Sequence, residues 1–186
     1  MNLIERAKNM IVTPKTEWDV VAGESDTLSS VLTSYVIWLA AIPAAASLVG
    51  SFLLTQATGI SLGIKTAVIA YVAAIAGYVI TTYVVDLLAG NFKSEKDLNK
   101  SAQLVAYAST ASWIAGIFNA LPIIGMLGSL AGGIYAIYLM YLGLGPIKKT
   151  PEDQKVLYLV IVFVVMIVTS MILASLLRMI LLAGSM

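Results

Sequence analysis

Apolar residues run in long stretches along the chain, and the longest stretch without a charged residue lies between Lys100 and Lys148. A helix needs roughly 20 apolar residues to cross about 30 Å of hydrocarbon, so this stretch is long enough to cross, turn and return. Asn119, Pro122 and Gly125 interrupt its middle and favour a hairpin tip, because proline removes a hydrogen-bond donor and glycine relaxes the backbone. The pattern predicts an integral membrane protein.

Charged or polar breaks divide the apolar sequence into five segments, each long enough to cross a bilayer. The predicted fold class is therefore an all-α membrane protein, a bundle of five transmembrane helices. We divide the chain into an amphipathic N-terminal segment, residues 1–29, and a five-span membrane domain, residues 30–186. The predicted spans are Ser30–Leu54, Thr66–Leu88, Ser101–Leu121, Ile123–Leu144 and Val156–Leu182.

Lysine and arginine are distributed unevenly between the predicted loops, and this bias predicts the orientation, because cations in short loops stay in the cytoplasm. Only Lys65 and Arg178 fall on one side. The N-terminus is therefore predicted to be cytoplasmic and the C-terminus external. The cations of the other side are Arg6, Lys8, Lys15, Lys93, Lys96, Lys100, Lys148, Lys149 and Lys155.

The N-terminal segment has the pattern of an amphipathic helix. Such a helix either lies flat on the membrane or packs against the cytoplasmic ends of the bundle, and the pattern leaves both open. The acidic residues that precede the first apolar run argue against a signal peptide. Trp18, which follows the helix, and Arg178, near the end of the last span, are predicted interfacial anchors at headgroup level. The apolar face of the helix consists of Leu3, Ile4, Ala7, Met10 and Ile11.

Small residues four positions apart predict where the helices pack closely, because association in lipid depends on how near two backbones can approach. The candidate packing positions are Ala73 and Gly77 in the second span and Gly128 and Gly132 in the fourth. A GxxxG spacing serves either packing within one chain or the seam of a homo-oligomer, and we favour the first.

Asp86 is the only acidic residue inside a predicted span, and an intramembrane acid is costly enough to be a candidate functional residue. It lies about one turn from the cytoplasmic end of its span. The alternative, which we favour, is a structural pair with Lys93 or Lys96 near the headgroups.

Composition narrows the chemistry that the chain can perform. Apolar residues make up 60% and charged residues 11%, with a mean hydropathy of +0.94, and there is neither cysteine nor histidine. A net charge of +1 argues against a nucleic-acid binder, which needs a basic face. Without these ligands and bases no cofactor, no metal site and no catalytic residue is predicted, and a serine–lysine pair is rejected because every lysine falls in a predicted loop or terminus.

Three parts of the chain contain distinctive short sequences: Leu121-Pro122-Ile123 at the hairpin tip, Tyr141-Leu142-Gly143-Leu144 followed by Lys149-Thr150-Pro151-Glu152 and Tyr158, and Pro14-Lys15-Thr16-Glu17-Trp18 before the first span. Together they resemble the bacterial branch of the Yip (Ypt-interacting protein) family of membrane proteins. The resemblance implies a five-span fold and no enzymatic activity. Eukaryotic members of the family are associated with Rab-type GTPases, but this chain lacks their Asp-Leu-Tyr-Gly-Pro motif, so no Rab partner is predicted.

Pattern and resemblance together predict a non-enzymatic membrane-organising or interaction scaffold in the bacterial cytoplasmic (inner) membrane. Its surroundings are the lipid bilayer, and its protein partner is unidentified. The alternative is a transporter or channel for a small solute or ion. A continuous polar path through the bundle would favour transport, whereas a dry seam of alanine and glycine would favour a scaffold.

Overall fold

The computed structural model describes residues 2–54 and 60–183, and every regular element within them is helical, as the sequence predicts. A π-helical turn, Leu32–Val36, joins α3 to α4, and 3-10 turns, Gly90–Phe92 and Gly116–Ala120, follow α5 and α7. The α-helices are α1 (Leu3–Val12), α2 (Pro14–Ala22), α3 (Leu28–Val31), α4 (Ile37–Leu54), α5 (Ile60–Ala89), α6 (Leu98–Ala108), α7 (Thr110–Ala115), α8 (Pro122–Lys148) and α9 (Glu152–Ala183).

Within the described part of the chain, four helical segments are long and apolar enough to cross a membrane. They match the first, second, fourth and fifth predicted spans. The third predicted span does not form one continuous helix, because it is divided among α6, α7 and a 3-10 turn. The four segments are Leu28–Phe52, Gly63–Phe92, Ile123–Lys148 and Glu152–Leu173.

The divided third segment nevertheless runs antiparallel to α8 along most of its length. A Cβ added to Gly143 would lie 2.5 Å from Leu104 Cδ1, and one added to Gly125, near the other end of α8, would lie 2.9 Å from the carbonyl oxygen of Phe118. The chain reverses at Leu121, which is extended, and Pro122 is the first residue of α8. The predicted hairpin tip is therefore confirmed.

The long helices exceed the thickness of the hydrocarbon layer. α5, α8 and α9 contain 30, 27 and 32 residues, which corresponds to about 45, 40 and 48 Å against about 30 Å of hydrocarbon. The α5–α6 and α8–α9 connections meet at one end of the bundle, where the backbone N–H of Glu95 donates to the carbonyl of Lys148 at 2.7 Å. We call this the lysine-rich end.

The N-terminal helices pack against the side of the bundle, with α2 on α8 near the lysine-rich end and α1 further from that end. Met10 of α1 and Val21 of α2 are fully buried, and the Tyr135 hydroxyl of α8 donates to the carbonyl of Ile11 at 2.8 Å. Ile4 and Val12 remain exposed, at 72% and 66%. The structure therefore shows the second of the two predicted placements, in which the segment packs against the bundle. Part of its apolar face remains exposed.

Candidate functional site

Three helices place polar side chains around one buried lysine at the lysine-rich end. Lys148 is completely buried, and its ammonium donates to Ser101 Oγ at 2.7 Å, to Asp86 Oδ1 at 3.3 Å and to the Asp97 carbonyl at 3.2 Å. The Ser101 hydroxyl also lies 3.1 Å from Asp86 Oδ1 and 2.9 Å from the Asp97 carbonyl. We call Asp86, Asp97, Ser101 and Lys148 the Lys148 cluster.

Helix ends put these groups in position. Asp97 is the N-cap of α6, where its carboxylate accepts the backbone N–H groups of Asn99 and Lys100 at 2.8 and 3.1 Å. This cap fixes the first turn of α6 and so places Ser101 one turn further on. Lys148 occupies the last turn of α8, where a cation is favourable to the helix dipole. The helix then stops because Lys149 is left-handed, with φ of 50°.

The structure corrects the predicted partner of Asp86. Asp86 is 8% exposed and pairs with Lys148, not with Lys93 or Lys96. The premise that every lysine falls in a loop or terminus is also wrong, because Lys148 lies in the last turn of α8 and is buried beside a serine. Breaking a buried ion pair leaves an uncompensated charge, so this pair ties α5 to α8.

The Ser101–Lys148 geometry does not supply an accessible nucleophile. Both residues are 0% exposed, so no substrate reaches the serine oxygen in this arrangement. The lysine donates three hydrogen bonds, which is all that an ammonium group can form. The Lys148 cluster is therefore built as a connection between helices. Among the described residues, no group of three acidic side chains is placed to hold a metal ion.

Further contacts join the same helices around the cluster. The hydroxyls of Ser94 and Thr150 lie 2.9 Å apart and connect the two loops, and the exposed Lys149 pairs with Glu95 at 2.8 Å. The Tyr158 hydroxyl of α9 donates to the Val85 carbonyl of α5. α9 is thereby held against the end of α5 that carries the buried acid.

A second buried ion pair joins α1 to α2 within the N-terminal segment, and its arginine also contacts α6. Arg6 pairs with Glu17 at 2.7 Å and also with Glu24, and its guanidinium carbon lies 5.1 Å from the centre of the Tyr107 ring. Burial acts to lower the pKa of Arg6, but the hydrogen bond to Glu24 and the nearby negative charges outweigh it, and the pKa is raised. Arg6 therefore stays charged. Asn9 donates to Glu17 at 3.0 Å, and we call Arg6, Asn9, Glu17 and Glu24 the Arg6 cluster.

A cavity of about 250 Å³ lies beside the Arg6 cluster. The Tyr35 and Tyr107 rings meet edge to face, with centroids 4.9 Å apart, and the Tyr35 hydroxyl lies 2.7 Å from Thr110 Oγ1. Lys100 donates to the carbonyl of Glu24 at 2.6 Å and so fixes the loop at the cavity edge. The lining residues are Leu3, Arg6, Glu24, Asp26, Ser34, Tyr35 and Tyr107.

The headgroup environment predicted for Trp18 is wrong. Trp18 is 1% exposed and contacts protein rather than headgroups, since a Cβ on Gly143 would lie 2.8 Å from its ring, and Tyr107 packs against it edge-on with centroids 6.4 Å apart. The glycine of α8 leaves the space that the indole fills. The other predicted anchor, Arg178, falls outside the side chains that the structure describes.

The predicted packing positions separate into two groups. Gly128 and Gly132 face the third segment, where added Cβ atoms would lie 2.8 Å from the Phe118 ring and 2.9 Å from a backbone carbonyl oxygen. A Cβ on Gly77 would meet nothing within 4 Å, and Gly77 and Ala73 line a cavity of about 240 Å³. The prediction of a close helix contact at Gly77 is therefore wrong.

Sequence reasoning identified Asp86 but missed Lys148, Ser101 and the Arg6 cluster. The one signal for Lys148 is its position directly at the end of an apolar run. Arg6 falls on the polar side of the α1 helical wheel, and only the two carboxylates supplied by later residues explain its burial.

The Yip1 domain model matches residues 8–173, which confirms the resemblance to the Yip family. The matched range includes all of the Lys148 cluster but begins after Arg6. No curated protein and no solved structure is significantly similar to the chain.

Proposed function

The chain belongs to the Yip1 domain family, and from this premise we propose that it is a non-enzymatic multi-pass scaffold of the bacterial cytoplasmic membrane. The observation that carries the proposal is the joining of three lysine-rich segments. The Lys148 cluster links the α5–α6 connection to the end of α8, and Lys100 links the same connection to the N-terminal segment through the carbonyls of Ala22 and Glu24. The platform, as we name it, comprises residues 2–29 and the α5–α6 and α8–α9 connections. Its function is to present one preorganised cytoplasmic surface to partner proteins or to the inner leaflet.

Two observations support five crossings and a cytoplasmic platform. The third segment, from Leu98 to Ala120, is roughly 34 Å long at the helical rise and contacts α8 from Leu104 to Phe118. A segment that follows α8 over this length crosses with it. The platform brings the lysine-rich segments together at one end, and the bias in cations supports a cytoplasmic location for that end and an external C-terminus.

A scaffold is supported over a transporter by the seam between the third segment and α8. Gly125, Gly132 and Gly143 are each so close to the facing segment that a Cβ would lie within 3 Å of it. Close backbone approach favours a dry, permanent contact, whereas transport needs a polar path. Buried charged side chains instead form the Lys148 and Arg6 clusters, where they connect helices.

The test compares Lys148→Met with Lys149→Met, which alters the neighbouring exposed lysine. Each full-length variant, carrying a proximity-labelling enzyme in the α5–α6 loop, is expressed at the same level in the native membrane. We expect the wild-type protein and Lys149→Met to label the same set of neighbouring proteins. Lys148→Met should no longer label that set. Identical sets for all three proteins, or saturable solute flux through wild-type proteoliposomes, would contradict the scaffold.

A further inference from the structure

The cavity beside the Arg6 cluster has more acceptors than the protein satisfies. Glu24 Oε2 is buried without a hydrogen-bond partner. Asp26 accepts from the Ser30 hydroxyl at 3.1 Å but forms no salt bridge with any described residue. Glu24 and Asp26 line the cavity, so two carboxylates with bonding capacity unused adjoin it.

One of the two tyrosines that line the cavity has a hydroxyl group without a hydrogen-bond partner among the described residues. Tyr107 is 4% exposed, and across residues 2–54 and 60–183 its hydroxyl has no hydrogen-bond partner, whereas the Tyr35 hydroxyl is taken by Thr110. Because Tyr107 lines the cavity, a ligand there can form a hydrogen bond with this hydroxyl. This observation is independent of the two carboxylates.

The charged side chains around the cavity favour a ligand of one charge sign. Arg6 is the only cation in the described lining, and it is already engaged by Glu17 and Glu24. Lys100 lies outside the lining and bonds backbone carbonyls at the edge. An anion would meet Asp26 and the free oxygen of Glu24, so the unbalanced charge favours a cation.

We propose that this cavity binds a primary ammonium group. A primary ammonium offers three N–H donors, enough for the carboxylates of Glu24 and Asp26 and the Tyr107 hydroxyl. A quaternary ammonium carries the same charge but no N–H donor, so it leaves these acceptors unpaired. The inference stands on the cavity alone and does not depend on the proposed scaffold function.

The position of the cavity allows two sources of this chemistry. Ser34 and Tyr35 belong to the first candidate span, whereas Glu24 and Asp26 precede it, so the cavity lies at the boundary between hydrocarbon and water. The ammonium group there comes either from an ethanolamine phospholipid or from a small free amine.

The test has two arms and uses the full-length protein. The first titrates ethanolamine against choline into protein held in detergent without phospholipid, by calorimetry. The second compares retention of phosphatidylethanolamine and phosphatidylcholine by native mass spectrometry. We expect a preference of about tenfold or more for the primary ammonium in at least one arm. A preference in the first arm assigns a free amine, and one confined to the second assigns the lipid headgroup.

Asp26→Asn and Tyr107→Phe should each reduce the preference, while Asp19→Asn, which removes an exposed carboxylate, and Tyr138→Phe should not. Tyr107→Phe keeps the ring beneath Arg6, so it tests the site even if Asp26→Asn fails to fold. Equal binding of ethanolamine and choline ligands in both arms would overturn the proposal. An equal loss in Asp19→Asn would also overturn it, because general surface charge would then explain the binding.

Discussion

Replacing Lys148 by methionine tests whether the buried ion pair holds the platform together. Methionine has nearly the same length, so the change removes the charge and its three hydrogen bonds while leaving little empty space. Asp86 would then remain buried, with only the Ser101 hydroxyl to compensate its carboxylate. We therefore expect the free energy of unfolding to fall.

The size of the loss follows from the burial of the two partners. Removing one member of a buried ion pair typically costs about 3–5 kcal/mol. The Asp86 side chain keeps 12% exposure and gains some hydration, which favours the lower end of that range. A loss of about 3 kcal/mol corresponds to a decrease of roughly 6–12 °C in Tm for a chain of this length.

The assay is thermal unfolding in one detergent, followed by the fluorescence of the three native tryptophans. Lys149→Met is the matched control, because its side chain is 74% exposed and an exposed ion pair often contributes nothing measurable. The double variant Asp86→Asn with Lys148→Met should lose less than the sum of the single changes, since no charge is left unpaired. If Lys148→Met lowered Tm no more than Lys149→Met does, the reasoning would be refuted.

Two further predictions concern the docking of the N-terminal segment. Gly143→Ala should lower Tm, because its Cβ would lie 2.8 Å from the Trp18 ring, whereas Gly133→Ala, with nothing within 4 Å, should leave Tm unchanged or raise it through better helix propensity. Equal Tm changes for the two would contradict the close contact at α2. Met10→Ser should expose the segment to limited proteolysis, because Met10 is fully buried, and Ile4→Ser, at an exposed position, should not. Unchanged protection of Met10→Ser would show that the segment is held in some other way.

The apolar runs predict the four long helices well, because length and hydropathy alone decide whether a segment suits a bilayer. The third segment shows the limit of this argument. Its continuity is broken by local contacts that composition does not reveal. Ser109 bonds the carbonyl of Val105 at 2.7 Å, and Gly116 lies where a Cβ would come 2.5 Å from Pro43. The structure therefore bends this segment to fit its neighbours.

Side-chain partners are less predictable than spans. The cost of an intramembrane acid identifies Asp86 from the sequence, but its partner is 62 residues away, on another helix. Lys148 and Lys149 are equivalent in sequence, and only the orientation of the last turn of α8 sends one inward and the other to the surface. The burial of Arg6 likewise depends on a fold that brings Glu17 and Glu24 to it.

The central claim is a five-crossing chain whose platform lies in the cytoplasm, and the side of the membrane on which each end lies tests it most directly. The chain has no cysteine, so single cysteines at Lys96 and after Met186 can be labelled in intact cells with an impermeant maleimide. The account predicts that the C-terminal cysteine is labelled at once and that Lys96→Cys is labelled only after permeabilisation. Labelling of both cysteines only after permeabilisation would place the two on the same side and contradict the fifth crossing.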